Sequence, residues 1–368
     1  MNFDFSEEDK LVQEQTSRLL QDHCGMDVVR QTLEGENTHA AGVWQKLGEL
    51  GLTGTAVPEA HGGVEAGYLP LCLVAQELGR HVAPVPFSSS IYLATEALQR
   101  YGSPAQQERW LPKLASGEVV GTVAVSEGLT EVAGAELACV LSGASINGTK
   151  MPVADGNVAD LAIVLVATDA GPSLALVDLA AGGVTRTVLE TVDPTRDTAK
   201  LEFADVDAEL LGEPGQGWTE LAALYDRAAV LFAFEQIGGA QAALDMAVAY
   251  ANERFAFGRP IGSFQALKHM MADMYVALKL AESNCYYAAW ALASDAPELP
   301  LAARTARVSA TQAYQLCSRD NIQVHGGMGF TWEFDCHLYY RRSNYLTLQL
   351  GGLSVWEDKL VDALSQAA

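Results

Sequence analysis

Two stretches of the chain combine residue types that hold flat anions. Residues 254–268 read RFAFGRPIGSFQALK, where an Ala-rich helical pattern is broken by an Arg, two Phe and Gly-Arg-Pro before a second helical pattern starts on Ser-Phe-Gln. Arg254 offers a bidentate contact to phosphate, Phe257 a ring to stack or pack on another ring edge, and Gln265 a polar group at the start of the next helix. A plain helical hairpin could carry such a break. The placement of Arg and aromatics asks instead for a planar, anionic ligand or a partner subunit. The second stretch, QVHGGMGFTWE, runs from Gln323 to Glu333 after a helical pattern. Gly326, Gly327 and Gly329 let backbone come close to a flat or phosphorylated group and expose N–H groups to its oxygens. A helix C-cap and turn is the plainer account of the same glycines.

The familiar nucleotide and hydrolase signals are missing: there is no GxGxxG after a strand, no GxxxxGK[ST], no HExxH and no GxSxG. With 368 residues the chain exceeds one compact core and should hold two or three structural units. Hydrophobic residues at 49% and charged residues at 19% are ordinary for a folded globular protein. A formal net charge of −23 argues against nucleic acid and anionic lipid as partners, so an anionic ligand needs a local basic pocket. The acidic start MNFDFSEEDK does not read as a signal peptide, and LAALYDRAAVLFAF is interrupted by Asp226 and Arg227 before reaching membrane-spanning length. A cytoplasmic location is expected. The six Cys are scattered without CxxC or Cys/His clusters, which predicts buried free thiols and no metal.

The elements that must position these stretches fall into three blocks. Residues 1–118 read as an N-terminal helical domain: SEEDKLVQEQTSRLLQDHC starts on a Ser N-cap, and PAQQERWLPKLASG has Pro in its first turn and Gly at its end. Residues 119–212 change to short β-branched runs such as VVGTVAVSE, LAIVLVAT and SLALVDL, the pattern of a central antiparallel β-barrel or sandwich. Residues 213–368 return to long helices, roughly 217–256, 264–294, 298–323 and 337–349 plus a last one after Gly352, a four-helix-bundle-like domain. The fold class is α+β, multidomain.

Taken together, the layout and the two stretches resemble the acyl-CoA dehydrogenase family across essentially the whole chain. The pattern R-x-x-F-G-x-x-I-x-x-x-Q is met by Arg254, Phe257, Gly258, Ile261 and Gln265, and Q-x-x-G-G-x-G-[YF] by Gln323, Gly326, Gly327, Gly329 and Phe330. The resemblance implies an FAD between β-domain and C-terminal bundle, reaching across a subunit interface. The first stretch would then meet the FAD of the neighbouring subunit, and the glycine turn its pyrophosphate and ribose. It also implies an acyl-CoA substrate, a tetramer built as a dimer of dimers, and an electron acceptor that the sequence does not name. A carboxylate removes the α-proton of the thioester, the β-hydrogen leaves as hydride to the flavin N5, and a trans-2-enoyl-CoA results.

The chain departs from the family where the base is concerned. The usual Glu of a Tyr-Glu-Gly-Thr-like turn is absent from YLTLQLGG, where Gln349-Leu350 precede Gly351. A second family location, early in the first long helix of the bundle, falls near Asp226-Arg227. Asp226 and Glu235 lie nine residues apart, about half a helical rotation, so at most one faces the flavin. Glu235 sits in the apolar run FAFEQIGG, where an unpaired carboxylate would have a raised pKa and could serve as base; pairing with an Arg or His in the bundle is the other account. In the β-domain, Ser126-Glu127 survives from a longer family motif, and Pro152 in GTKMPVADG replaces the aromatic that flanks the flavin. Ser126 could hydrogen-bond the flavin ring, or simply end a strand. These losses resemble short β-type subunits that pair with a longer, base-carrying partner in bacterial α2β2 enzymes for steroid side chains and other unusual acyl-CoAs. Two readings follow: an active dehydrogenase with Glu235 or Asp226 as base, or a non-catalytic subunit with a structural and half-site FAD-binding role.

Overall fold

The computed structural model describes residues 5–35, 37–128 and 136–367. In chain order come α1 (Glu7–His23), α2 (Met26–Leu33), α3 (Ala41–Glu49), α4 (Tyr68–Arg80), a π-helical stretch over Ser88–Thr95, α5 (Glu96–Tyr101) and α6 (Pro104–Ala115). Strands β1 (Gly121–Ala124), β2 (Val140–Ser142), β3 (Ser145–Ala154), β4 (Leu161–Val166), β5 (Ser173–Asp178), β6 (Val184–Val188) and β7 (Thr198–Leu211) follow. The remainder is α7 (Gly217–Glu253), the two-residue strands β8 (Phe255–Ala256) and β9 (Arg259–Pro260), α8 (Gln265–Ala293), α9 (Leu299–His325), α10 (Cys336–Leu348) and α11 (Leu353–Ala367). This is the α+β fold class expected from the sequence.

Local chemistry sets several of these boundaries. Ser6 accepts the Asp9 N–H while the Asp9 carboxylate takes the Ser6 N–H, a reciprocal cap that starts α1. Ser103 and Gln106 repeat the device at α6, with Pro104 in the first turn. The sequence SSSIYLAT reads as ordinary helix but winds as a π-helix. Its side chains are pinned from several directions: Ser88 accepts from Arg196, Ser89 donates to Asp155, Ser90 accepts the Gly121 N–H, and Thr95 donates back to the Ser90 carbonyl.

The sheet runs β1-β4-β5-β7-β3-β2, with β6 also on β7. All pairs are antiparallel except β1 with β4, which are parallel. β1 has only four residues and its neighbour is reached after two intervening strands, so its direction leaves no mark in the sequence. β4 (LAIVLV) is buried at every residue, which explains its unbroken apolar run.

By contacts the chain forms two compact units, one of Met1–Val29, Tyr68–Ala83 and Ala229–Ala368, the other of Arg30–Gly67 and Pro84–Ala228. In the first unit α4 and α7 meet backbone to backbone. A Cβ on Gly79 would stand 1.8 Å from the Glu235 carbonyl oxygen, and one on Gly238 1.9 Å from that of Gln76, so no side chain fits at either crossing. The six Cys are buried and free.

Candidate functional site

The break between α7 and α8 is a tight hairpin. Phe255 pairs with Pro260 and Ala256 with Arg259, and the Ile261 N–H returns to the Arg254 carbonyl at 2.8 Å. Its two turn residues, Phe257 and Gly258, have φ of +53° and +78°, the left-handed backbone that a two-residue hairpin requires. Glycine takes that conformation freely; phenylalanine does so at a cost of about 1 kcal/mol or more. Phe257 is 95% exposed at the tip, and its ring meets Phe264 edge-on at 6.2 Å. Behind it the Arg259 guanidinium lies 4.0 Å from the centre of the Phe264 ring.

The glycine corner sits at the same end of the helix pair. Cys317 contacts the Met274 carbonyl and Asn284 donates to Ser309, an antiparallel register that brings Gln265 level with Gly326 and Gly327. Gly326 has φ 60° and ψ −135°, a region almost closed to side chains, and a Cβ at either Gly326 or Gly327 would meet nothing within 4 Å. The corner is therefore an open cradle. His325 anchors it from beneath: buried, it stacks on Tyr250 at 4.1 Å and meets Phe334 edge-on at 5.5 Å. Its Nδ1 donates to the Asn321 carbonyl at 2.9 Å. Burial lowers the His325 pKa, with that hydrogen bond acting in the opposite direction.

Arg254, Phe257, Gln265, Gln323, Gly326 and Gly327 are all exposed. Neither Arg254 nor Arg259 has a carboxylate partner among the described residues, in a chain with 46 acidic and 23 basic side chains. Uncompensated guanidinium groups, solvent-facing aromatic rings and a cradle without Cβ atoms fit the pyrophosphate and ring systems of a dinucleotide.

The acidic candidates are differently placed. Glu235 is 3% exposed on α7, and its carboxylate forms an ion pair at 3.6 Å with Arg342 of α10, itself fully buried. Arg342 also donates to the carbonyls of Ala83 and Val82. Next to Glu235, Gln236 accepts from Arg307 at 2.9 Å and donates to Thr311. Arg307 continues to the carbonyls of Leu346 and Gln349, holding the C-terminus of α10 and the turn where Leu350 has φ +63°. Burial brings the Arg307 pKa down to about 9, against the nearby charge of Glu235. Asp226, in the other unit, is also buried, and the following Arg227 pairs with Glu96. Arg307 carries no motif and was not singled out by its surroundings in sequence.

In that second unit Ser126 is half-buried, and its hydroxyl makes no hydrogen bond among the described residues. The Met151 N–H donates to its carbonyl at 2.8 Å. Lys150, overlooked as a site residue, is fully buried beside it and reaches Glu127.

Comparison with known proteins gives this geometry its class. The acyl-CoA dehydrogenase N-terminal domain model matches residues 6–118 and the C-terminal domain model residues 215–355. The chain belongs to the acyl-CoA dehydrogenase family. It is an oxidoreductase of lipid metabolism acting on acyl-CoA, with FAD as cofactor. Among its relatives, the acyl-CoA dehydrogenase IpdE2 of Mycobacterium tuberculosis is 33% identical over 339 residues, covering 92% of this chain and 91% of that protein. The ChsE4-ChsE5 complex of Mycobacterium tuberculosis contains a chain that superposes with TM-score 0.89 at 28% identity, covering 99% of both chains. The Tcur3481-Tcur3483 steroid ACAD, in a G363A variant, gives TM-score 0.89 at 30% identity over 98% of both. Among the described residues no helix is long and apolar enough to cross a membrane.

Proposed function

We propose that the chain is one subunit of a hetero-oligomeric acyl-CoA dehydrogenase that converts an acyl-CoA into its trans-2-enoyl-CoA, and that it contributes the dinucleotide-gripping surface while a longer partner contributes the α-proton base. The observation that carries this reading is the Glu235–Arg342 pair. A general base must reach the proton it removes, and a carboxylate held against a buried guanidinium is already committed. The turn after α10 adds no acid, since it reads Gln349-Leu350-Gly351-Gly352.

FAD, when bound, supplies the oxidant that takes up the β-hydrogen. The chain's own part is to hold it. Arg254 would meet phosphate, Phe257 would cover a ring or fill a hollow of the neighbouring subunit, and the Gly326-Gly327 backbone would lie along the pyrophosphate, with Gln265 and Gln323 at its sides. A second exposed apolar surface supports assembly: Tyr275, Val276, Leu280 and Tyr287 line one side of α8 facing solvent. The two solved relatives described above carry two chain names each, in line with a two-chain enzyme, and one is named for steroid substrates.

Producing the chain alone and together with a longer family member tests the proposal. Acyl-CoA should bleach the flavin absorbance of the co-produced complex only, and the complex should keep its turnover when Glu235→Gln and Asp226→Asn are introduced into this chain. Full turnover by this chain alone would refute it.

A further inference from the structure

Several hydrogen bonds hold the segment around Ser126, none of them made by its hydroxyl among the described residues. The Lys150 ammonium, without any solvent exposure, donates to the Val125 carbonyl at 2.9 Å and to Glu127 Oε1 at 2.8 Å. The next residue on β3, Met151, donates its N–H to the Ser126 carbonyl. Glu127 in turn accepts the N–H groups of Ala138 at 2.7 Å and Cys139 at 3.0 Å, joining the end of one segment to the start of another. Burial by itself would raise the Glu127 pKa, but the Lys150 hydrogen bond and the two backbone donors bring it below the usual carboxylate value.

A buried lysine is a costly way to finish a strand. An isolated ammonium loses its hydration, and the partners recover that cost only with good geometry. An apolar side chain at position 150 would fill the same space without fixing anything. What the lysine adds is direction: two hydrogen bonds that straddle Ser126 and leave one hydroxyl, half-buried and without a partner among the described residues, as the free polar group of this edge.

We infer that Lys150, acting through Glu127 and the Val125 carbonyl, is a positioning residue that aims the Ser126 hydroxyl at the flavin. The inference rests on the FAD-holding role proposed above. Lys150 does not touch the cofactor in this account; it removes the freedom of the residue that does.

The test uses the flavin-loaded oligomer in four variants: Ser126→Ala, Glu127→Gln, Lys150→Met and the double Ser126→Ala/Lys150→Met. The readouts are the FAD dissociation constant, the position of the flavin absorption bands and the thermal midpoint. Loss of one well-placed hydrogen bond should weaken FAD by about 3- to 10-fold and shift the bands, in the same sense for all three single variants. The double variant should bind FAD no more weakly than Lys150→Met alone, because one effect passes through the other. Should Lys150→Met fail to fold, the isosteric Glu127→Gln carries the comparison with Ser126→Ala. Unchanged bands and affinity in Lys150→Met or Glu127→Gln, with Ser126→Ala impaired, would overturn this inference alone. Effects that simply add in the double variant would also overturn it. A wild-type oligomer that binds no FAD would instead overturn the cofactor-holding reading itself.

Discussion

Removing the Arg342 guanidinium should separate a structural anion from a catalytic one. In Arg342→Met the Glu235 carboxylate stays buried without its cation, and the carbonyls of Val82 and Ala83 lose a donor. Breaking one side of a buried ion pair costs about 3–5 kcal/mol. With about 2.1 cal/mol/K of unfolding entropy per residue, that corresponds in a chain of 368 residues to a fall in thermal midpoint of roughly 4–6 °C. Glu235→Gln keeps shape and hydrogen-bonding capacity and leaves Arg342 its two carbonyl acceptors, so its cost should be about 1–3 kcal/mol. Combined in one protein, the two changes should recover at least ~2 kcal/mol relative to their sum, since the stranded charge is gone. Denaturant melts of all four proteins, with turnover of the flavin-loaded oligomer measured beside them, complete the cycle. The opposite pattern would refute the reasoning: Glu235→Gln as stable as wild type, no coupling with Arg342, and turnover lower by roughly 10²–10⁴-fold, the usual contribution of a general base.

Other consequences can be checked separately. Gly327→Ala should leave the melting temperature within about 1 °C, because its Cβ points into open space, yet weaken FAD if the corner lies against phosphate; unchanged FAD affinity would remove the cradle from the site. Gly326→Ala should in addition cost about 1–3 kcal/mol, from the backbone conformation alone. Phe257→Ser should leave the folded subunit unharmed but loosen the oligomer, seen by light scattering, and an unaltered assembly would place the hairpin away from the seam. His325 and His39 both have pKa values lowered by burial, His39 against the opposing charge of Asp155. The unfolded chain protonates them at about pH 6.5. Between the lowered values and about 6.5 it therefore binds more protons than the folded chain, and stability should rise with pH through that window and level off above it. Replacing both by Gln should flatten the curve there, and a wild-type profile in the double variant would contradict this.

The sequence carried what is local. The Ser6 cap, the Pro104 start of α6, the break at Arg254 and the glycines at 326, 327 and 329 each announce themselves within a few residues, and the helices and strands follow their apolar spacing. Partners brought from afar did not announce themselves. Nothing near Glu235 indicates that its cation comes from Arg342, and nothing around Lys150 shows that its ammonium turns inward to Glu127, since a lysine in a strand ordinarily faces water. The π-helical winding of Ser88–Thr95 depends on Arg196 and Asp155, which arrive from other strands and loops. The parallel run of β1 beside β4 depends on topology rather than on any residue in either strand.

The exposed rings at Phe255, Phe257, Phe330 and Trp332 have a colloidal consequence. They are sticky, while the formal charge of −23 makes copies of the chain repel one another. Salt screens that repulsion and leaves the stickiness untouched. Before it assembles, the chain would be relying on negative charge alone to stay dispersed.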